Sequence, residues 1–255
     1  MPSDAKRGRV PSRRLSAAVF GFWAALLTAA SAAVALGMAI MTPPRSGSFC
    51  TRDCVTAPYT DVARFVPRDY LWMYAACLMV VSFVVLVACV HQSVAQPRRV
   101  FSLVGLSFAL IAATAAMTDY FIQLAVLQPS LLMGQRDGLS LFSMYNPHGV
   151  FIAFEDLAYL FIGVSFLSVA GALPPVGDVL RATRITFLVA GVLAVVSLVV
   201  LAGFYGRDLG YRYEVAAISI DWLALTVSGV LLAIAFRRGA FGDPRSPAGV
   251  SRTAS

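Results

Sequence analysis

Six apolar runs, each close to the length that crosses a bilayer, constrain this chain more than any other feature. In hydrocarbon no water can satisfy a free N–H or C=O. Each backbone group must therefore be paired within its own segment or around a closed barrel. The runs lack the period-2 alternation of barrel strands, so they predict helices. The fold class that follows is all-α, a polytopic transmembrane bundle of six helices. The spans read as about Leu15–Met41, Tyr70–His91, Val100–Leu127, Pro147–Leu173, Ile185–Tyr205 and Val215–Phe236. Pro43, Pro44, Pro97, Pro129, Pro174 and Pro175 fall at or beyond span ends, where proline costs least.

Composition agrees. Charged residues are 13% of the chain and hydrophobic residues 59%, whereas a soluble domain carries about 25% charged residues. The net charge of +7 is explained by where the basic residues sit. Lys6, Arg7, Arg9, Arg13, Arg14, Arg98, Arg99, Arg181, Arg184, Arg237, Arg238, Arg245 and Arg252 flank one side of the spans. Arg45, Arg52, Arg64, Arg68, Arg136, Arg207 and Arg212 flank the other, which makes 13 against 7. The positive-inside rule then predicts both termini in the cytoplasm, and no nucleic-acid partner is expected. Arg outnumbers Lys 19 to 1, and Ala, Val and Leu dominate. That bias suits a GC-rich bacterium, so the expected home is a bacterial plasma (inner) membrane.

Three segments follow. Residues 1–14 form a basic cytoplasmic N-terminus and residues 15–238 the transmembrane domain. Residues 239–255, rich in Gly, Pro, Ser and Arg, form a disordered cytoplasmic tail. The first apolar run exceeds the 7–15 residues of a signal-peptide core, so an uncleaved span is expected.

The most informative residues are the acids inside the spans: Asp119, Glu155, Asp156 and Asp221. Each costs about 2.5–3.5 kcal/mol at a helix centre on insertion scales. Alternating span directions place all four roughly 9–14 Å below the outer end, at ~1.5 Å per residue. Asp119 shares a helical face with Ala112, Ala115, Ala116 and Gln123, and Asp221 with Ala217, Ala224 and Ser228. Small residues allow close helix contact, so both faces are expected to point inward. On the fourth span His148, Ile152, Glu155 and Tyr159 align on one face. Asn146 and Pro147 suit an N-cap and first helical position, which would set His148 above Glu155. No Lys or Arg lies inside these spans. One reading is a polar pocket for a proton, a cation or a small polar or lipid-like ligand, under the loop Gln128–Tyr145. Its residues would be Asp119, Gln123, His148, Glu155, Asp156, Tyr159 and Asp221. The bland reading is that protonated acids and Gln123 only hold helices together.

No metal and no cofactor are expected. The two histidines, His91 and His148, fall on opposite sides, which excludes a three-histidine site and paired bis-histidine haems. Cys50 and Cys54 share an outer loop, where an oxidising compartment favours a disulfide. Gly21, Ala25, Ala29, Ala33 and Gly37 make a four-residue ridge on the first span. It suits packing within the chain, or an oligomer through that ridge. The loop Gln128–Tyr145 is too apolar for a free loop and reads as interfacial, or as a lid over the acids. Phosphate-loop, zinc-protease, dinucleotide and nucleophile-elbow motifs are all missing from the sequence.

The stretch Gln128-Pro-Ser-Leu-Leu, then Tyr145-Asn-Pro-His-Gly, then Phe154-Glu-Asp-Leu-Ala-Tyr159 resembles a segment of uncharacterised small six-helix bacterial membrane proteins. The resemblance covers that stretch and the span layout, and it implies no activity. Three functions stay open. One is a binding or transport-type protein with the lipid bilayer and a small ligand or cation as partners. The second is an intramembrane enzyme using Glu155, Asp156 or Asp119 as acid or base on a lipid-like substrate, helped by His148. The third is a structural accessory subunit.

Overall fold

A computed structural model describes residues 12–241, with side chains from Ala17 onward. The basic residues 1–11 and the tail from 242 lie outside the described residues. The chain forms helices α1 (Ser12–Met41), α2 (Trp72–Ser93), α3 (Arg99–Ile122), α4 (Gln128–Leu132), α5 (Val150–Ala172), α6 (Asp178–Tyr205) and α7 (Tyr211–Arg237). No strand occurs among the described residues. Six helical stretches are long and apolar enough to cross a membrane, with α3 and α4 counting as one. The protein is an integral, multi-pass membrane protein.

Several boundaries move, each for a local reason. The helix α6 starts at Asp178, a full turn and more before its apolar run, and carries Arg181 and Arg184. Long arginines can reach the interface while their backbone stays helical, so hydrophobicity and helix do not end together. The third span does not stop at Leu127. A π-turn, Gln123–Leu127, leads into α4, and Pro129 sits in the first turn of that helix, where its missing N–H costs nothing. The expected loop Gln128–Tyr145 is therefore loop only after Leu132.

The start of the fourth span also shifts. Asn146 does not cap the helix, and Pro147 is not its first residue. The Asn146 Oδ1 accepts from the His148 N–H at 3.0 Å, and the Gly149 N–H donates to the Asn146 carbonyl at 2.9 Å. This turn delays α5 to Val150, with Gly149 before it. A Cβ on Gly149 would lie 2.9 Å from the Leu141 carbonyl oxygen, so the turn admits only glycine.

Each spanning helix packs on the next in chain order, and α1 on α7 closes the ring. Because α5 also touches α7, α6 lies on the outside of that pair and is the least buried span. Lipid tails are as apolar as Leu, so close packing has to supply what the hydrophobic effect does not. A Cβ on Gly229 of α7 would sit 2.7 Å from the Ala25 carbonyl oxygen and 2.8 Å from the Ala29 Cβ. Gly21 meets the Phe236 ring, and Gly163 faces Gly191 and Ala194 between α5 and α6. Interhelical hydrogen bonds add to this, such as Thr28 Oγ1 to Ser82 Oγ at 3.0 Å and Ser165 Oγ to the Gly105 carbonyl at 2.8 Å. The ridge of the first span is divided in use. Gly21, Ala25 and Ala29 are buried, whereas Ala33 and Gly37 are exposed.

The segments 42–71, 133–149 and 206–210 all fold at one end of the bundle, here the capped end. Between α1 and α2 the chain makes three short 3-10 turns, and Cys50 and Cys54 are bonded to each other. Asp69 ties this strap down. Its Oδ2 accepts from Arg45 Nε and its Oδ1 from Arg68 Nε, both at 3.0 Å. Arg45 also stacks over the Phe65 ring, 4.2 Å from its centroid.

Candidate functional site

The buried polar centre grows from α5. Glu155 and Tyr159 are one turn apart and face inward, toward Tyr120 on α3. The Glu155 Oε1 lies 2.7 Å from the Tyr120 hydroxyl and 3.1 Å from the Tyr159 hydroxyl, and the two hydroxyls are 2.8 Å apart. Two hydroxyl protons serve these three contacts, so at least one phenol donates to Glu155. Four aromatic rings enclose the carboxyl. Trp72 meets Tyr120 at 5.4 Å and Trp222 at 5.9 Å, and Tyr159 meets Trp222 at 6.2 Å between centroids.

The second carboxyl of this centre is Glu214, in the first turn of α7, within hydrogen-bonding reach of Glu155. Glu214 Oε2 is closed to solvent while the residue as a whole is half-buried. The reason is its position: its exposed part lines a cavity.

That cavity has a volume of about 360 Å³ and lies at the capped end where α1 and α7 diverge. Leu36, Ala39 and Ile40 form its α1 wall, and Val215, Ile218 and Ser219 its α7 wall. Thr42 to Ser46 and Phe49 roof it, and Trp72 and Phe151 close its floor toward the buried acids. The polar groups that reach it are few: Arg45, Ser46, Tyr145, Tyr211 and Glu214, with Thr42 and Ser219 at the edges. The Tyr211 hydroxyl donates to the Met144 carbonyl at 2.9 Å and lies 2.7 Å from Ser46 Oγ. Burial pushes the Tyr145 phenol far above its ordinary range, which keeps it a donor to Asp69 Oδ2 at 3.4 Å.

The structure redistributes the residues singled out in the sequence. Asp119 is buried, with Oδ2 unpartnered among the described residues. Gln123, in the π-turn, donates to the Phe142 carbonyl at 2.6 Å and so pins the loop before α5. Asp156 is half-buried. Asp221 is buried with both oxygens unpartnered among the described residues, and it does not join the Glu155 group. His148 is exposed, and its Nε2 lies 3.0 Å from the Arg207 carbonyl, because the delayed start of α5 leaves it in a turn.

None of these residues lines this cavity. Large aromatics pack around Glu155, and the cavity lies where two helices splay. Among the described residues no group of three or more His, Cys, Asp or Glu is placed to hold a metal. Glu214 escaped the sequence reading because span six was begun one residue too late. Its signal was present: Glu214 and Asp221 are seven residues apart, two turns on one face. Arg45 and Asp69 carried no such signal, since no periodicity pairs loop residues.

No family model, curated protein or solved structure matches the chain.

Proposed function

We propose that the protein binds an amphipathic, lipid-like ligand that enters the cavity sideways from the bilayer, between α1 and α7. One observation carries this reading. Ile40, 76% exposed, and Val215, 46% exposed, both line the cavity and both lie on the flank of the bundle. A flank at that position faces lipid, so the opening is lateral. The lining is mostly apolar, with a few converging polar groups, as small-molecule sites are. Helix packing explains why the opening is at this end: Gly229 clamps α1 to α7 lower down, and Gly37 near the top has nothing within 4 Å.

Ala39→Trp places an indole in the void without touching the buried acids. Lipid titrated into the detergent-purified protein is expected to raise Tm for the parent and not for this variant. Equal stabilisation of both would reject the cavity as the binding site. Intramembrane acid–base catalysis is the second reading. It is favoured by Glu214, the single acid that reaches the cavity, and product formation from a bound lipid would establish it.

The setting of the site belongs to the same proposal. The capped end faces the outside of a bacterial plasma membrane. The distribution of basic residues supports this, and so does the Cys50–Cys54 bond at that end. Single cysteines at Ser48 and Gln135 are expected to be labelled from outside intact cells, and those at Ser3 and Thr253 to be protected. Outside labelling of either terminus would reverse the orientation.

A further inference from the structure

We propose that the ligand is a phospholipid whose phosphate is held by the Nη groups of Arg45. This rests on the lipid-ligand reading above and names the chemistry of the lipid's head.

The roof of the cavity lies at the level of a lipid phosphate. The first span, Ala17–Met41, has 25 residues. At ~1.5 Å per residue that is about 37 Å, against a hydrocarbon core of roughly 30 Å. Arg45 comes just after Met41, beyond Pro43 and Pro44. A lipid that enters between α1 and α7 therefore brings its headgroup to Arg45.

Arg45 is held ready for an anion. Its side chain is 12% exposed, and its guanidinium is fixed at two points. Nε donates to Asp69 Oδ2 at 3.0 Å, and the guanidinium lies over the Phe65 ring, 4.2 Å from its centroid. Both Nη groups are left without a partner among the described residues, and neither is sealed in protein. That leaves two donors in the fork geometry that suits phosphate oxygens. Ser46, the next residue, adds a hydroxyl in the same roof, 2.7 Å from the Tyr211 hydroxyl.

The charge around Arg45 favours the same occupant. Arg45, Arg64 and Arg68 gather at Phe65 and Asp69, with Arg64 over the same ring at 4.8 Å. Asp69 is the one acid bonded to any of the three among the described residues. Arginine stays protonated in proteins, so this corner keeps positive charge that one carboxylate does not offset. Of the three, only Arg45 lines the cavity.

The test measures affinity of the full chain in detergent for short-chain phosphatidic acid, for diacylglycerol and a fatty acid with the same chains, and for free glycerol phosphate. Phosphatidic acid is expected to bind about tenfold more tightly than diacylglycerol, the weight of one hydrogen bond to a charged group. It is also expected to bind more tightly than the fatty acid. Arg45→Gln removes the charge and keeps a donor to Asp69. Arg45→Lys keeps the charge, but its single ammonium stays on Asp69. Both are expected to erase the preference for phosphatidic acid. Arg64→Gln, on the same ring but outside the cavity lining, is expected to keep it.

Phosphatidic acid binding no tighter than diacylglycerol, as repulsion by Glu214 would produce, would overturn the phosphate while leaving the lipid site standing. So would a preference that survives Arg45→Lys, or one lost equally in Arg64→Gln. A fatty acid that matches phosphatidic acid would overturn the phosphate as well. Free glycerol phosphate binding as tightly as the lipid would overturn the lipid identity of the ligand. Binding of no lipid, or binding indifferent to Ala39→Trp, would remove the underlying reading too.

Discussion

Gly229→Ala is expected to lower Tm by about 5–10 °C, although it adds a single methyl group. That methyl would sit 2.7 Å from the backbone oxygen of Ala25 and 2.8 Å from the Ala29 Cβ, and backbone cannot swing aside. Overpacking of this kind costs about 1–3 kcal/mol, and about 2–4 °C accompanies each kcal/mol in a chain of this size. The control is Gly37→Ala on α1, where nothing lies within 4 Å. There the same methyl removes only backbone freedom and should stabilise by about 0.5–1 kcal/mol. Thermal unfolding of both variants in one detergent decides the matter. Similar Tm values would mean that α1 and α7 are not clamped at Gly229.

The second large effect concerns the polar centre. Glu155→Leu removes the acceptor for Tyr120 and Tyr159 and strands the Glu214 carboxyl, all in the interior. Unsatisfied buried groups cost about 1–3 kcal/mol each. Polar contacts between membrane helices average about 0.6 kcal/mol, so the lower end applies, and about 3 kcal/mol in total is expected. Glu155→Gln is the discriminating partner. Its amide oxygen still accepts from the tyrosines and its NH₂ still donates to Glu214, so its Tm should stay close to that of the parent. A leucine variant as stable as the glutamine variant would show that this centre contributes nothing to holding α3, α5 and α7 together.

How much of this was legible follows from what kind of information each feature needs. The spans follow from a count of apolar residues against bilayer thickness, and that count survives errors of several residues. Burial of Asp119, Glu155 and Asp221 follows from the same count. Their grouping does not. Depth and helical face cannot say which helices are neighbours, and the ring places Glu155 between Tyr120 and Glu214 rather than beside Asp221. The start of α5 differs for another reason: a helix counted from Pro147 omits the bond that Asn146 Oδ1 accepts from the His148 N–H, which makes a turn and delays the helix to Val150. The cavity itself was beyond reach, because its walls come from helices at opposite ends of the chain. Its roof is held by Arg45 and Asp69, whose pairing leaves no pattern in the sequence.

The most direct test is to reconstitute the full chain with a photoactivatable lipid carrying a diazirine near the start of one acyl chain. After irradiation, the labelled residues are mapped by mass spectrometry. If α1 and α7 admit a lipid at the capped end, labels concentrate on Leu36, Ala39, Ile40, Val215 and Ile218, and Ala39→Trp removes them while labelling elsewhere is unchanged. Labels spread evenly over the exposed faces of all six spans, and unaffected by Ala39→Trp, would contradict a lipid site between these helices.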